Sequence, residues 1–265
     1  MKEGVADDLR QSYVVMKNEM TKFFRGKRML LFLGLVVTVL LLITVLPYAL
    51  GDGLSKDPKE IIQTYISFVY LLVLLAATLF ASVTIVSEYE ERTALILFTR
   101  PIKKSSIFLG KFSASLIIGI AFVGLYYLLV ALISLIVAGG VDSEMAKSLL
   151  LAVMYVIGTF GVAILISSIM KKASTSTIIT FVILLMILPI ISAVIIVSLT
   201  PESIDVFTNP DVVFYDAWWM LDQASNAIYG VLSTTVNVAR ESLVMVAWGL
   251  ASTAVAFILF KRKEF

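Results

Sequence analysis

Six stretches of this chain contain no Asp, Glu, Lys or Arg and run 19 to 30 residues each: 29–51, 61–87, 112–141, 148–170, 173–201 and 242–260. Together they hold 151 of the 265 residues. A helix needs about 20 apolar residues to cross the hydrocarbon of a bilayer. Each stretch is rich in Leu, Ile, Val and Phe and lacks period-2 alternation, which points to helices and against a β-barrel. The longest of them extend beyond the hydrocarbon or tilt. Composition agrees: 60% of residues are hydrophobic and 15% charged, against about half and about a quarter in soluble domains. An ordinary soluble enzyme and a disordered chain are both excluded.

The expectation is an all-α polytopic membrane protein with six transmembrane helices and an N-terminal amphipathic interfacial helix. Residues 1–28 form the N-terminal cytoplasmic segment and 29–260 the six-span domain. The spans fall near 29–50, 61–87, 108–139, 147–170, 174–200 and 242–260, with an aromatic outer loop at 201–241 and a basic tail at 261–265. A seventh uncharged stretch, 223–239, contains seven Gln, Asn, Ser or Thr among 17 residues and reads as surface structure.

Orientation follows from the basic residues. Seventeen of the 21 Lys and Arg lie in the N-terminal segment, the second and fourth loops and the tail; only Lys56, Lys59, Lys147 and Arg240 lie in the other loops. Both termini are therefore expected in the cytoplasm of a multi-pass cell-membrane protein. The first apolar run starts too late for a signal peptide, and no small-residue cleavage site follows it.

Leu9, Tyr13, Met16, Met20 and Phe23 recur at helical spacing among Asp8, Gln11, Lys17, Asn18, Lys22 and Arg25. Such a helix lies in the inner interface or packs on protein. Gly26 can end it. In the second loop, Glu88, Glu90 and Glu91 stand where a helix N-terminus welcomes negative charge. Leu95, Ile96, Leu97 and Phe98 give a short apolar body, and Pro101 disfavours helix at Arg100. A short helix framed in this way can dock on a soluble protein or serve as a connector. In the outer loop, Asn209-Pro210-Asp211 reads as a helix start. Phe214, Tyr215, Trp218 and Trp219 follow it and suit a membrane–water interface.

There is no His and no Cys, so no imidazole or thiolate metal site can form and no metal or catalytic residue is assigned. No ionisable residue lies mid-span, where proton-coupled carriers usually need one. Gly26-Lys27 and Gly110-Lys111 lack the upstream Gly and the Ser or Thr of a phosphate loop. The chain is thus not expected to be an ATPase, and any work it performs draws on another subunit.

Glu88-x-Glu90-x-x-Thr93, then Leu97, Arg100-Pro101-Ile102 and Gly110-Lys111 resembles the second-loop motif of ABC transporter membrane subunits of the type-2 exporter class. Arg92 stands where that family usually has Gly, and Lys103 where it has Ser. The resemblance extends to the N-terminal amphipathic helix, the six spans and the basic tail. It implies a permease subunit of an ATP-driven exporter. Glu88, Glu90, Glu91, Arg92, Thr93, Leu97, Arg100 and Pro101 would couple it to the ATPase, and the N-terminal helix would be the elbow. Two six-span subunits, identical or paralogous, would pair in the bilayer above two ABC ATPase subunits. ATP and Mg would sit on those partners, with no cofactor on this chain and no nucleic acid. Phe214, Tyr215, Trp218 and Trp219 would form an outer interface or gate.

Candidates to line a pathway are Gln63, Ser67, Tyr70, Thr78 and Ser82 on one stripe of the second span, and Thr177, Thr180 and Ser192 in the fifth, where Pro189 predicts a kink. Hydroxyls in lipid also serve plain helix packing. The competing readings are a self-contained secondary carrier or channel, and a non-transporting membrane assembly protein. Neither brings down an ATPase on purification.

Overall fold

The computed structural model describes residues 5–51, 53–90, 103–199, 219–232 and 236–262. Among them there is no strand, and six helices are long and apolar enough to cross a membrane: Lys27–Leu50, Pro58–Glu90, Lys104–Ala138, Met145–Ile169, Ala173–Ile195 and Val238–Arg262. The protein is an all-α polytopic membrane protein, because a backbone in lipid must satisfy its own hydrogen bonds.

A separate N-terminal helix spans Val5–Arg25, with Asp7 and Asp8 in its first turn and Lys22 and Arg25 in its last. Both ends thus complement the helix dipole. Gly26 alone separates it from the first span.

The spans differ in how much of themselves they bury. The first keeps only Phe32, Val36, Leu40 and Ile43 fully buried, spaced as one stripe, while Leu30, Leu31, Leu41 and Leu42 point outward. In lipid such exposure carries no hydrophobic penalty. The second span is the interior one, with most of its length buried. Fourth and sixth spans meet at their backbones. A Cβ on Gly161 would lie 2.6 Å from the Gly249 carbonyl oxygen, and one on Gly249 would lie 2.6 Å from that of Ile157. Small residues at this crossing let dispersion contacts replace the missing hydrophobic drive.

Two spans are not regular α-helices. The second is interrupted at Ser67–Phe68 and carries a wide π-turn at Ala77–Ala81. The fifth has another at Ile183–Ile187, just before Pro189. That proline can neither donate to the Leu185 carbonyl nor fit its ring against it, and the widened turn relieves the clash.

Segment 223–239 differs from the surface structure its composition suggests. Two short helices, Leu221–Ser225 and Ala227–Gly230, turn inward. Leu221, Ala224, Ala227, Ile228, Val231 and Leu232 are buried against the spans. The polar residues counted at 233–235 lie outside the described residues, and among the rest Ala and Gly allow close approach.

Candidate functional site

At the end of the bundle that carries the N-terminal helix, four charged side chains converge from three separate elements. Lys111 of the third span is fully buried. Its Nζ lies 2.6 Å from Glu19 Oε1, 2.8 Å from Glu88 Oε1 and 3.2 Å from the Thr84 carbonyl oxygen. Lys22 approaches the same carboxylates from the outside, at 3.1 Å to Glu19 and 3.3 Å to Glu88. Two cations and two anions leave the cluster neutral, so each buried charge has an opposite charge beside it. A lone buried charge would cost several kcal/mol. Burial alone would lower the Lys22 ammonium, but the carboxylates of Glu19 and Glu88 outweigh it and raise the group above its ordinary value.

The Gly110-Lys111 pair has two distinct jobs in this cluster. A Cβ on Gly110 would lie 2.5 Å from the Ser12 carbonyl oxygen and 2.8 Å from Val15 Cβ. Only glycine lets the N-terminal helix cross so closely, and the crossing brings Glu19 within reach of Lys111. The contact face of that helix therefore includes Ser12, Val15 and Glu19, while Leu9, Tyr13, Val14 and Phe24 are exposed. Those outward apolar groups suit the interface of a bilayer.

The start of the second loop is tied in further. Glu90 Oε2 accepts the backbone N–H of Ala173, the first residue of the fifth span, at 2.7 Å. Ser167 Oγ accepts from the N–H groups of Ile85 and Val86 at 3.2 and 3.0 Å, where the second span breaks a second time, at Ile85. Glu88 and Glu90 thus spend their carboxylates within the chain. Glu91, Arg92, Thr93, Leu95, Leu97, Phe98, Arg100 and Pro101 lie outside the described residues, as do Asn209–Asp211, Phe214, Tyr215 and Trp218.

The pathway candidates divide into three groups. Thr78 donates to the Leu74 carbonyl and Ser82 to that of Thr78. Ser82 also meets Thr177 at 3.3 Å, and Ser176 donates to the Ser82 carbonyl at 2.5 Å. These hydroxyls fasten the fifth span to the second. Thr180 is buried with no partner for its hydroxyl among the described residues. Gln63 is half-buried and Ser67 exposed.

Tyr70 and Ser192 belong to a second cluster, around the inward-turned helices. Tyr70 Oη donates to Asp222 Oδ1 at 3.0 Å, and the Ser192 hydroxyl, which donates to the Leu188 carbonyl at 2.9 Å, lies beside that carboxylate. The Tyr70 and Tyr155 rings stack at 5.7 Å. Trp248 Nε1 donates to the Trp219 carbonyl at 2.9 Å, and Ser148 Oγ to that of Ile228. Burial raises the Asp222 carboxyl above its ordinary value, against the opposing influence of the Tyr70 hydrogen bond and the nearby Ser192 hydroxyl. Asp222 belongs to no span, so a search for mid-span charges passes over it. The signal for it is the run of Ala, Ile, Gly, Val and Leu that follows.

Among the described residues no group of His, Cys, Asp and Glu could hold a metal ion. A comparison with curated proteins finds no match. The family model described as ABC-2 family transporter protein matches residues 13–265, from the middle of the N-terminal helix through all six spans. This multi-pass permease, a non-catalytic membrane subunit, belongs to the ABC-2 transporter family.

Proposed function

We propose that the chain is the permease subunit of an ATP-driven exporter. A pair of such subunits, identical or paralogous, would form the pathway, and two ABC ATPase subunits would dock on the loop 88–104 with ATP and Mg. The observation that carries this reading is the charged cluster at the root of the loop. Glu88 joins the loop to the N-terminal helix and third span through Lys111 and Lys22. Glu90 joins it to the fifth span through Ala173. A push on the loop then reaches three elements at once. In this arrangement Glu88 and Glu90 are anchors, and Glu91, Arg92, Thr93, Leu97, Arg100 and Pro101 are left to meet the ATPase. Both termini face the cytoplasm, as the basic residues require.

Tyr70, Gln63 and Thr180 are the pathway candidates whose polar groups their own helix does not occupy, and Phe214, Tyr215, Trp218 and Trp219 supply the outer gate. The test is purification of the full chain from membranes that also hold its ATPase. Co-purification of two ATPase copies, with no ATP hydrolysis by the chain alone, is expected. Replacing Leu97 and Phe98 by Asp should release the ATPase from a correctly inserted chain. Hydrolysis by the chain alone, or undiminished association in that variant, overturns the reading.

A further inference from the structure

A cleft of about 490 Å³ opens beside the charged cluster, between the end of the N-terminal helix, the start of the first span and the ends of the second and fifth. That volume is in the range of small-molecule sites. Its floor is apolar: Phe23, Phe80 and Val83, with the two rings edge to face at 5.5 Å. Its rim is basic: Lys22, Lys27 and Arg28.

The charges on this rim are not equally engaged. The carboxylates lining the cleft are already occupied, Glu19 by Lys111 and Lys22, and Glu90 by the Ala173 N–H. Lys27 and Arg28 are exposed and have no acidic partner among the described residues. The fifth-span helix begins at the opposite wall directly after Lys171 and Lys172; Glu90 takes its Ala173 N–H, and Ser174 of its first turn lines the cleft. The remaining N–H groups of that first turn favour an anion. Fixed cations over an apolar floor match an anionic group that carries hydrocarbon.

We propose that this cleft holds the phosphate headgroup of an anionic phospholipid of the inner leaflet, with its first acyl carbons on Phe23, Phe80 and Val83. The proposal rests on the orientation given above, which puts Gly26 and the joint it makes at the cytoplasmic surface. Anionic lipids are abundant there, and clustered Lys and Arg recognise them.

The experiment places the full purified chain in nanodiscs of phosphatidylglycerol and phosphatidylcholine and measures by native mass spectrometry which lipid stays bound. Wild type should retain phosphatidylglycerol in preference. Lys27→Gln with Arg28→Gln should weaken retention about fivefold per cation, about thirtyfold together. Exchanging the two cations, Lys27→Arg with Arg28→Lys, should preserve it. Ser174→Glu removes no cation from the membrane boundary, yet should lose the lipid by repulsion. Lys56→Gln with Lys59→Gln, at the opposite end, should change nothing.

Equal retention of both lipids, or full retention by the Lys27/Arg28 double Gln variant, overturns the proposal. So does displacement of the lipid by millimolar inorganic phosphate, which would mark a free-phosphate site. The readout uses no ATPase, so it fails or succeeds independently of the exporter reading. Labelling of Ser12→Cys in sealed cells only after permeabilisation checks the orientation separately.

Discussion

The two polar clusters of this bundle are built on opposite principles. At the N-terminal-helix end, four full charges cancel pairwise in a buried junction of three elements. Around Asp222, one carboxylate is surrounded by hydroxyls and stacked rings, with no cation paired to it among the described residues. The difference lies in what happens when one member is removed. In the first cluster a deletion strands a buried charge, which costs about 3–5 kcal/mol. In the second it removes a hydrogen bond worth about 0.5–1.5 kcal/mol net. The first cluster behaves as a weld and the second as a latch.

The largest effect should come from breaking the weld. Lys111→Met leaves Glu19 and Glu88 with only the half-exposed Lys22 between them and should destabilise the protein by about 3–5 kcal/mol, read as a lower midpoint of thermal unfolding in detergent. Adding Glu19→Gln and Glu88→Gln to Lys111→Met should recover part of that loss. A triple variant no more stable than Lys111→Met alone would show that packing, and not charge balance, holds this junction.

A smaller effect is expected from changing spacing while keeping every charge. A methyl on Gly110 meets the fixed Ser12 carbonyl, whereas one on Gly158, near the Asp222 cluster, meets first the movable end of Leu221 at 2.6 Å. Gly110→Ala should cost about 1–3 kcal/mol and expose the N-terminal helix to protease. Gly158→Ala should cost less, because the atom it meets first is a side-chain end that can yield and the backbone Met245 carbonyl oxygen stands further off, at 3.0 Å. The reverse order in protease resistance and melting would break the comparison.

The smallest effect concerns the latch and has a sign set by pH. The folded Asp222 carboxyl is raised above its value of 3.8 by burial. The native state therefore holds its proton more tightly than the unfolded one does. That contribution is fully present below the unfolded value and is lost as pH rises through the folded one. Tyr70, Tyr155 and Tyr229, the titratable groups facing Asp222, stay neutral across that window. Hydrogen exchange of residues 219–232 should slow as pH falls from neutral toward 4, after correction for intrinsic exchange. Asp222→Asn should flatten this dependence, and Tyr70→Phe should speed exchange by about tenfold or less. A pH response unchanged in Asp222→Asn would assign it elsewhere.

What the amino-acid sequence determined by itself is whatever depends on local composition. Apolar runs without a charge can only be helices in lipid, so the six spans and the all-α class follow from hydropathy alone. The amphipathic segment before Gly26 and the family motif around Glu88 were readable for the same reason: each is a pattern of neighbours in the chain. What only the tertiary structure decided is which groups meet. Lys111 and Glu19 are far apart in the chain and their pairing depends on a missing Cβ at Gly110, which periodicity does not register. The acids at 88 and 90 read as the start of a docking helix, but a carboxylate goes to the nearest compensating charge or donor, and the fold supplies Lys111, Lys22 and the Ala173 N–H. The stripe drawn through Gln63 and Ser82 assumes 3.6 residues per turn, and one π-turn at Ala77–Ala81 shifts its register. Asp222 looked like a loop residue because polar neighbours dilute the run around it. Its burial arises when small residues let two short helices fold back among the spans, a choice made by packing space and not by sequence period.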